Sequence, residues 1–328
     1  MTDIVGFEPD ADRAMVLDWR MRARLDASLR YIVEQVQGRI SVPRQAIEGF
    51  FARLAAGPVD ATTFGAYCEL VLAIDDDELE RAQALLAEIA AAPNRPACLV
   101  VRDLGDRRVD PIAERYVRLI DTDPAVSFEV LAPPPDIAVA CREKIAAAFS
   151  ILEAGDPALA GEIRALIGEI VLAVGVEDPK ALTFDGASSF MLWGALVLNA
   201  RGQKTVLEMA EALAHESGHN LLFGLCADGP LVENDDEARF ASPLRPDPRP
   251  MDGIVHATYV TARMHRAVLQ LEQSGVLDDV GSAEARTSLI SHRRAFAQGI
   301  EVIDQHARLT ERGRAIMAGA RAHMTASL

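Results

Sequence analysis

Between about residues 10 and 92 apolar side chains recur at helical spacings of three and four among polar ones, clearest from Met21 through Leu25 and Leu29 to Ile32 and Val33, with Met15, Leu17 and Trp19 before them. That period predicts helices with one buried face, and Pro43, Pro58 and Pro93 divide the stretch into several. The acidic run Asp75-Asp76-Asp77-Glu78 reads as the N-terminal cap of a helix carrying Leu79, Ala82, Leu85, Leu86 and Ile89. Short β-rich pieces follow at Cys98–Val101 and Val126–Leu131. After Pro133-Pro134-Pro135, helices are expected over about 137–154 and 158–174. A turn-like Phe184–Ser189 then leads into an apolar strand from Phe190 to Leu198. Helical spacing resumes over about 204–225, 253–272, 283–305 and 310–324. The expected fold is mainly α with a small β-sheet (α+β), with an N-terminal helical region over 1–95 and an α+β region over 96–328. Pro93–Pro96 is the best boundary.

Composition narrows the class. Of 328 residues half are hydrophobic and a quarter charged, enough to bury a sizeable core and too apolar for a disordered chain. Thirty-three basic against 49 acidic residues give a net charge of −16, which repels phosphate and makes nucleic acid and anionic membrane poor partners. The start, Met1-Thr2-Asp3-Ile4, has no signal-peptide character. The apolar run Phe190–Leu198 is far too short to span a membrane. Cys68, Cys98, Cys141 and Cys226 are scattered, without a CxxC pair, and read as reduced buried thiols. A cytoplasmic protein is expected.

All seven histidines fall at or after His215, and two of them form a motif. Ala214-His215-Glu216-Ser217-Gly218-His219-Asn220 is HExxH on a helix flanked by Val206, Leu207, Met209, Leu213, Leu221, Leu222 and Phe223. Four residues make about one helical turn, so His215 and His219 share a face and can share one transition-metal ion. Burying two imidazoles and a carboxylate without such a partner is costly. Gly218, in mid-helix at a cost of about 1 kcal/mol relative to Ala, suggests close approach of another backbone. A metzincin would need Gly and His where Leu222 and Leu225 stand. Third-ligand candidates are Glu233 and Glu237, as in a gluzincin, and His256 in Met251–Tyr259, where Asp252 looks like an N-cap. His265, nine residues further, faces the opposite side, and His292, His306 and His323 have no partner spacing.

Between these segments lies Phe240–Pro250, whose alternating prolines predict an extended, polyproline-like run holding Arg245 and Arg249 about 120° apart. An arginine on a stiff loop near a metal suits bidentate recognition of a carboxylate.

His215–Asn220, the Ser242-Pro243-Leu244-Arg245-Pro246-Asp247-Pro248-Arg249-Pro250 loop, and Gly253–Arg263 occur in an order and spacing that resembles the HExxH-motif peptide-modification proteins, understood as α-ketoglutarate-dependent HExxH-type peptide β-hydroxylases. Phe184–Ser189 through Asn199 resembles the strand preceding their metal helix, so the resemblance covers about 180–270. HExxH alone is not specific to this family; its combination with the arginine-proline loop is. The resemblance implies a non-haem Fe(II) oxygenase that uses α-ketoglutarate and O2 on a ribosomally made precursor peptide. It implies His215, His219 and His256 as metal ligands and Glu216 as a charge-balancing neighbour. Arg249 and Arg245 would hold the distal carboxylate of the co-substrate, with Ser242 and Tyr259 as structural residues or, alternatively, helpers. The alternative is a zinc metallopeptidase with Glu216 as general base and Glu233 or Glu237 as third ligand. A third reading is a peptide-binding protein with a structural metal. The first 180 residues are open to roles as scaffold, leader-peptide reader, homodimer interface or lid.

Overall fold

Proline and small polar residues open the N-terminal helices where the spacing places them. The computed structural model describes residues 4–96, 98–120, 130–176, 185–242 and 247–327. Its first helices are α1 (Ala11–Gln35), α2 (Arg44–Ala56) behind Pro43, α3 (Ala61–Asp75) behind Asp60, and α4 (Leu79–Ala91). The acidic run does precede α4, but no side chain caps that helix. Asp75 closes α3, and Asp77 takes a left-handed φ of 57° to turn the chain between the two helices, a conformation that Asp tolerates better than most residues.

The chain divides into two compact units, one of Met1–Ala14, Val139–Ala165 and Gln203–Leu328, the other of Met15–Ala138 and Leu166–Gly202. Pro93–Pro96, where the sequence suggested a boundary, lies inside the second. That second unit holds the sheet: β1 (Val100–Asp103), β2 (Val130–Leu131), β3 (Glu169–Gly175), β4 (Gly186–Ala187) and β5 (Ala195–Asn199), with α5 (Pro111–Ile120) between β1 and β2. The order is β1-β3-β5-β4. β3 lies parallel to both neighbours, β4 is antiparallel to β5, and β2 is antiparallel to the end of β3. Tyr116, Val117 and Leu119 of α5 bury against Val171 and Ala173 of β3 and Ala195 and Val197 of β5. Mainly α with a small sheet is the architecture observed.

Three local expectations are corrected here. The helix expected to run to residue 174 stops at Leu166, and Glu169–Gly175 is the central strand. Nearly every residue of β3 is buried, so it carries no alternation to separate it from a buried helix. Gly186-Ala187 is an edge strand rather than part of a turn. Phe190–Leu198 is two elements: a 3-10 turn, Phe190–Leu192, begun by the Ser189 side chain, then β5 after Gly194 at φ 83°. β5 pairs with β3 along its length and with β4 at Val197 and Leu198. Val126–Glu129 and Phe184 lie outside the described residues.

The other unit contains α6 (Pro135–Gly155) from Val139 on, α7 (Pro157–Leu166) up to Ala165, α8 (Val206–Cys226), α9 (Met251–Ser274), α10 (Asp279–His306) and α11 (Glu311–Ala326). α9 packs against α8, α10 and α11. Its middle is fixed by buried charge. Glu162 of α7 pairs with Arg263 and, at 2.6 Å, with Arg13, while Arg263 Nη1 donates to Phe7 O at 2.6 Å. Phe7 sits against Tyr259 and stacks on His323. Among the described residues no helix is long and apolar enough to cross a membrane. Cys98 is exposed and Cys68 and Cys226 half-buried, so only Cys141 fits the expected interior position.

Candidate metal centre

Everything the motif reading singled out lies in Gln203–Leu328, on α8, α9 and the loop between them. α8 starts with a full capping box: Thr205 Oγ1 accepts from Glu208 N at 3.0 Å, and the Glu208 carboxylate accepts from Thr205 N at 3.3 Å. One turn apart on this helix, His215 and His219 bring their Nε2 atoms to 3.2 Å with ring planes 70° apart. Two nitrogens each about 2.1 Å from one ion, at a near-tetrahedral angle, stand this far apart. Their other nitrogens are engaged elsewhere: His215 Nδ1 meets Met264 Sδ at 3.2 Å, and His219 Nδ1 meets His256 Nδ1 at 3.4 Å. With protons on that side, the Nε2 lone pairs are the ones that converge.

Burial keeps these rings neutral. It lowers His215 to about 4, helped by the charge of His292, and holds His219 well below its usual value, helped by its two histidine neighbours. His256 is lowered by burial against the opposing pull of Asp252. A neutral imidazole is the metal-binding form. Glu216 is almost fully buried, with Oε1 at 3.9 Å from His215 Nε2. Leu213, Leu221, Ile254 and Val255 are buried on the same helices. Gly218 is explained by a neighbour, though a side chain rather than a backbone: a Cβ there would meet Val260 Cγ1 of α9 at 3.2 Å.

His256 does not join the pair as the third-ligand reading expects. Pro250, not Asp252, is the N-cap of α9, so His256 stands in the second turn and Asp252 one turn before it, Oδ2 at 3.8 Å from His256 Nε2. The His256 ring meets a different edge of His219 from the one that faces His215. Among the described residues no group of three or more His, Cys, Asp or Glu side chains is placed to hold one ion. The residues present therefore fit two donors of a metal site. Glu233 and Glu237, the gluzincin candidates, are exposed, and Glu233 N is bonded to Arg308 O at 2.8 Å.

The arginine-proline loop is closed at its base by the pairing of Phe240 with Arg249. Phe240 and Arg249 exchange two backbone hydrogen bonds of 2.8 Å, which neither could donate if it were proline. Arg249 is mostly buried, with Nε 2.7 Å from Asp247 Oδ2, and Ser242 is half-buried. Arg245 lies outside the described residues. Tyr259 is buried with its ring edge-on to Phe7. His265 faces His323, Nδ1 to Nε2 at 3.0 Å, in keeping with its expected outward turn from the motif.

The chain matches no protein-family model and no curated relative.

Sequence reasoning missed three neighbours. Met264 and Asp252 act on the motif through rings that only packing brings together. The third is a pair: His292 of α10 lies 3.5 Å from Glu211, which is one turn before His215 on α8. The i, i+4, i+8 series Glu211, His215, His219 was the available signal for it.

Proposed function

We propose that this chain is an Fe(II)- and α-ketoglutarate-dependent oxygenase that hydroxylates the β-carbon of a side chain in a ribosomally made peptide. The observation that carries a metal reading is the convergence of His215 and His219 through Nε2, both neutral and both anchored through Nδ1. The choice of iron, 2-oxoacid and peptide rests on the family resemblance of the motif set. Fe(II) with α-ketoglutarate supplies O2 activation, the co-substrate being oxidised to succinate and CO2 and one oxygen atom entering a C–H bond.

The chain's own residues take definite parts in this reading. His215 and His219 hold the ion on one face of α8. Glu216, buried beside His215, sets a negative charge next to two neutral donors. Arg249, pre-oriented by Asp247 and the Phe240 bridge, offers the guanidinium fork for the distal carboxylate of α-ketoglutarate, with Arg245 and Ser242 on the same loop. The −16 net charge suits a basic peptide. We assign the reaction to the cytoplasm, where the precursor is translated.

The test is anaerobic loading with Fe(II), admission of air, and measurement of succinate from α-ketoglutarate with and without candidate peptides. Succinate release is the expected result. Absence of succinate under all conditions, with peptide-bond cleavage by the Zn(II) form, would favour a metallopeptidase using Glu216 as base.

A further inference from the structure

We propose that His256 is a positioning residue rather than a ligand, and that Asp252 and His256 form a relay fixing the tautomer of His219 so that its Nε2 lone pair faces the ion. The inference rests on the metal reading and concerns how the donor pair is prepared.

The geometry is that of an in-plane hydrogen bond. The His219 and His256 rings are inclined by only 19°, with centroids 5.7 Å apart and Nδ1 atoms 3.4 Å apart. That centroid distance is the N···N separation plus a ring radius on each side, so both nitrogens lie close to the line joining the rings. One Nδ1 must donate and the other accept. At its far side His256 presents Nε2 to the Asp252 carboxylate at 3.8 Å, which favours a proton on that nitrogen. A neutral His256 protonated at Nε2 has a bare Nδ1, so it accepts. His219 then carries its proton at Nδ1 and keeps the Nε2 lone pair, directed to where His215 Nε2 stands at 3.2 Å. Met264 Sδ, at 3.2 Å, accepts from His215 Nδ1 in the same way. A carboxylate–imidazole chain behind a metal-binding histidine fixes ring orientation and raises donor strength, and losing such a partner lowers metal affinity about 10–100-fold. As a ligand, His256 would instead have to turn a nitrogen to the Nε2 side, breaking the bond to His219 Nδ1.

The experiment uses the full chain with Zn(II) as probe, affinity measured by chelator competition, and histidine 15N chemical shifts read with and without Zn(II). In metal-free wild type His219 is expected to be protonated at Nδ1. In the Zn(II) form His215 and His219 should be metal-shifted at Nε2, and His256 should carry no metal shift. His256→Leu and Asp252→Ala, which remove the acceptor from each position, should each weaken Zn(II) about 10–100-fold. His256→Asn, whose side-chain oxygen falls near the position of Nδ1 and can accept the same hydrogen bond, should stay within about threefold of wild type. A metal-shifted His256 nitrogen, or a metal-free His219 protonated at Nε2, overturns the relay. So does a His256→Leu protein with wild-type affinity. If His256→Leu unfolds, Asp252→Ala and His256→Asn carry the same decision. Wild type that binds no Zn(II) while His219 shows the expected tautomer would sink the metal reading and leave the relay standing, so the two failures are distinguishable.

Discussion

Replacing Glu162 by Gln removes one negative charge from the most deeply buried ionic cluster among the described residues while preserving side-chain shape. Glu162 accepts from Asp10 N at 2.9 Å, from Arg13 Nη2 at 2.6 Å and from Arg263 Nη2, and the three charged side chains are 1–2% exposed. An amide can face only one of these sets of donors with its oxygen; its NH2 then opposes a guanidinium. Removing one partner of a buried ion pair costs about 3–5 kcal/mol. The low end applies here, because Arg13 still reaches Gly6 O and Glu8 O and Arg263 still reaches Phe7 O. For a folding unit of this size about 3 kcal/mol corresponds to a fall in Tm of roughly 6–12 °C, readable by circular dichroism or calorimetry. Asp304→Asn is the control. Its pair with Arg321 is exposed (38% and 55%), and such pairs are worth about 0–1 kcal/mol. A fall of less than about 2 °C for Glu162→Gln, or equal falls for both variants, would refute the idea that this cluster anchors the N-terminal segment to α9.

Three further outcomes are expected. Gly313→Ala should cost about 1–3 kcal/mol in chemical denaturation, because a methyl there runs into the Leu231 carbonyl, whereas Gly161→Ala, whose methyl only touches Ala11 Cβ at 3.6 Å, should gain up to about 1 kcal/mol. Burial and the charges of His323, Arg293 and His292 lower His265 from 6.5 to about 3. Below pH 6.5 the unfolded chain takes up a proton that the fold refuses. This contribution to stability is therefore complete above that pH and is lost as pH falls toward 3, by at most about 1.4 kcal/mol per pH unit for one group. Thermal melts from pH 7 to 4 should show a shallower slope for His265→Gln; identical slopes would count against the assignment. His219→Ala should reduce bound Zn(II) to background in elemental analysis while leaving the circular dichroism spectrum unchanged, since the motif helix is held by its capping box and apolar faces.

The helices were readable because their information is local. Pro43 before α2, Thr205 with Glu208 at α8 and Thr310 before α11 announce starts within four residues, and the apolar spacing supplies the rest. β3 was not readable for the opposite reason. Ile170-Val171-Leu172-Ala173-Val174 is buried on both faces between parallel neighbours, so its only local mark is Gly168 and a β-branched bias. The two-residue β4 exists through its pairing with Val197 and Leu198, which no pattern inside Gly186-Ala187 encodes.

The same division runs through the candidate site. His215 and His219 share a face by helical arithmetic alone, which permits their Nε2 separation of 3.2 Å without fixing it. What packs behind each ring is decided by contacts 37 to 49 residues away in the chain, and ligand spacing cannot distinguish a histidine that binds an ion from one that backs a ligand. One residue did betray a distant contact. Gly218 stands where alanine is preferred by about 1 kcal/mol, so something must press on that spot, and Val260 Cγ1 does. Val260 is one turn beyond His256 on α9. The contact that accounts for the glycine therefore also sets how closely α9 approaches α8, and with it the reach of His256 to the Nδ1 edge of His219 rather than to the Nε2 edge.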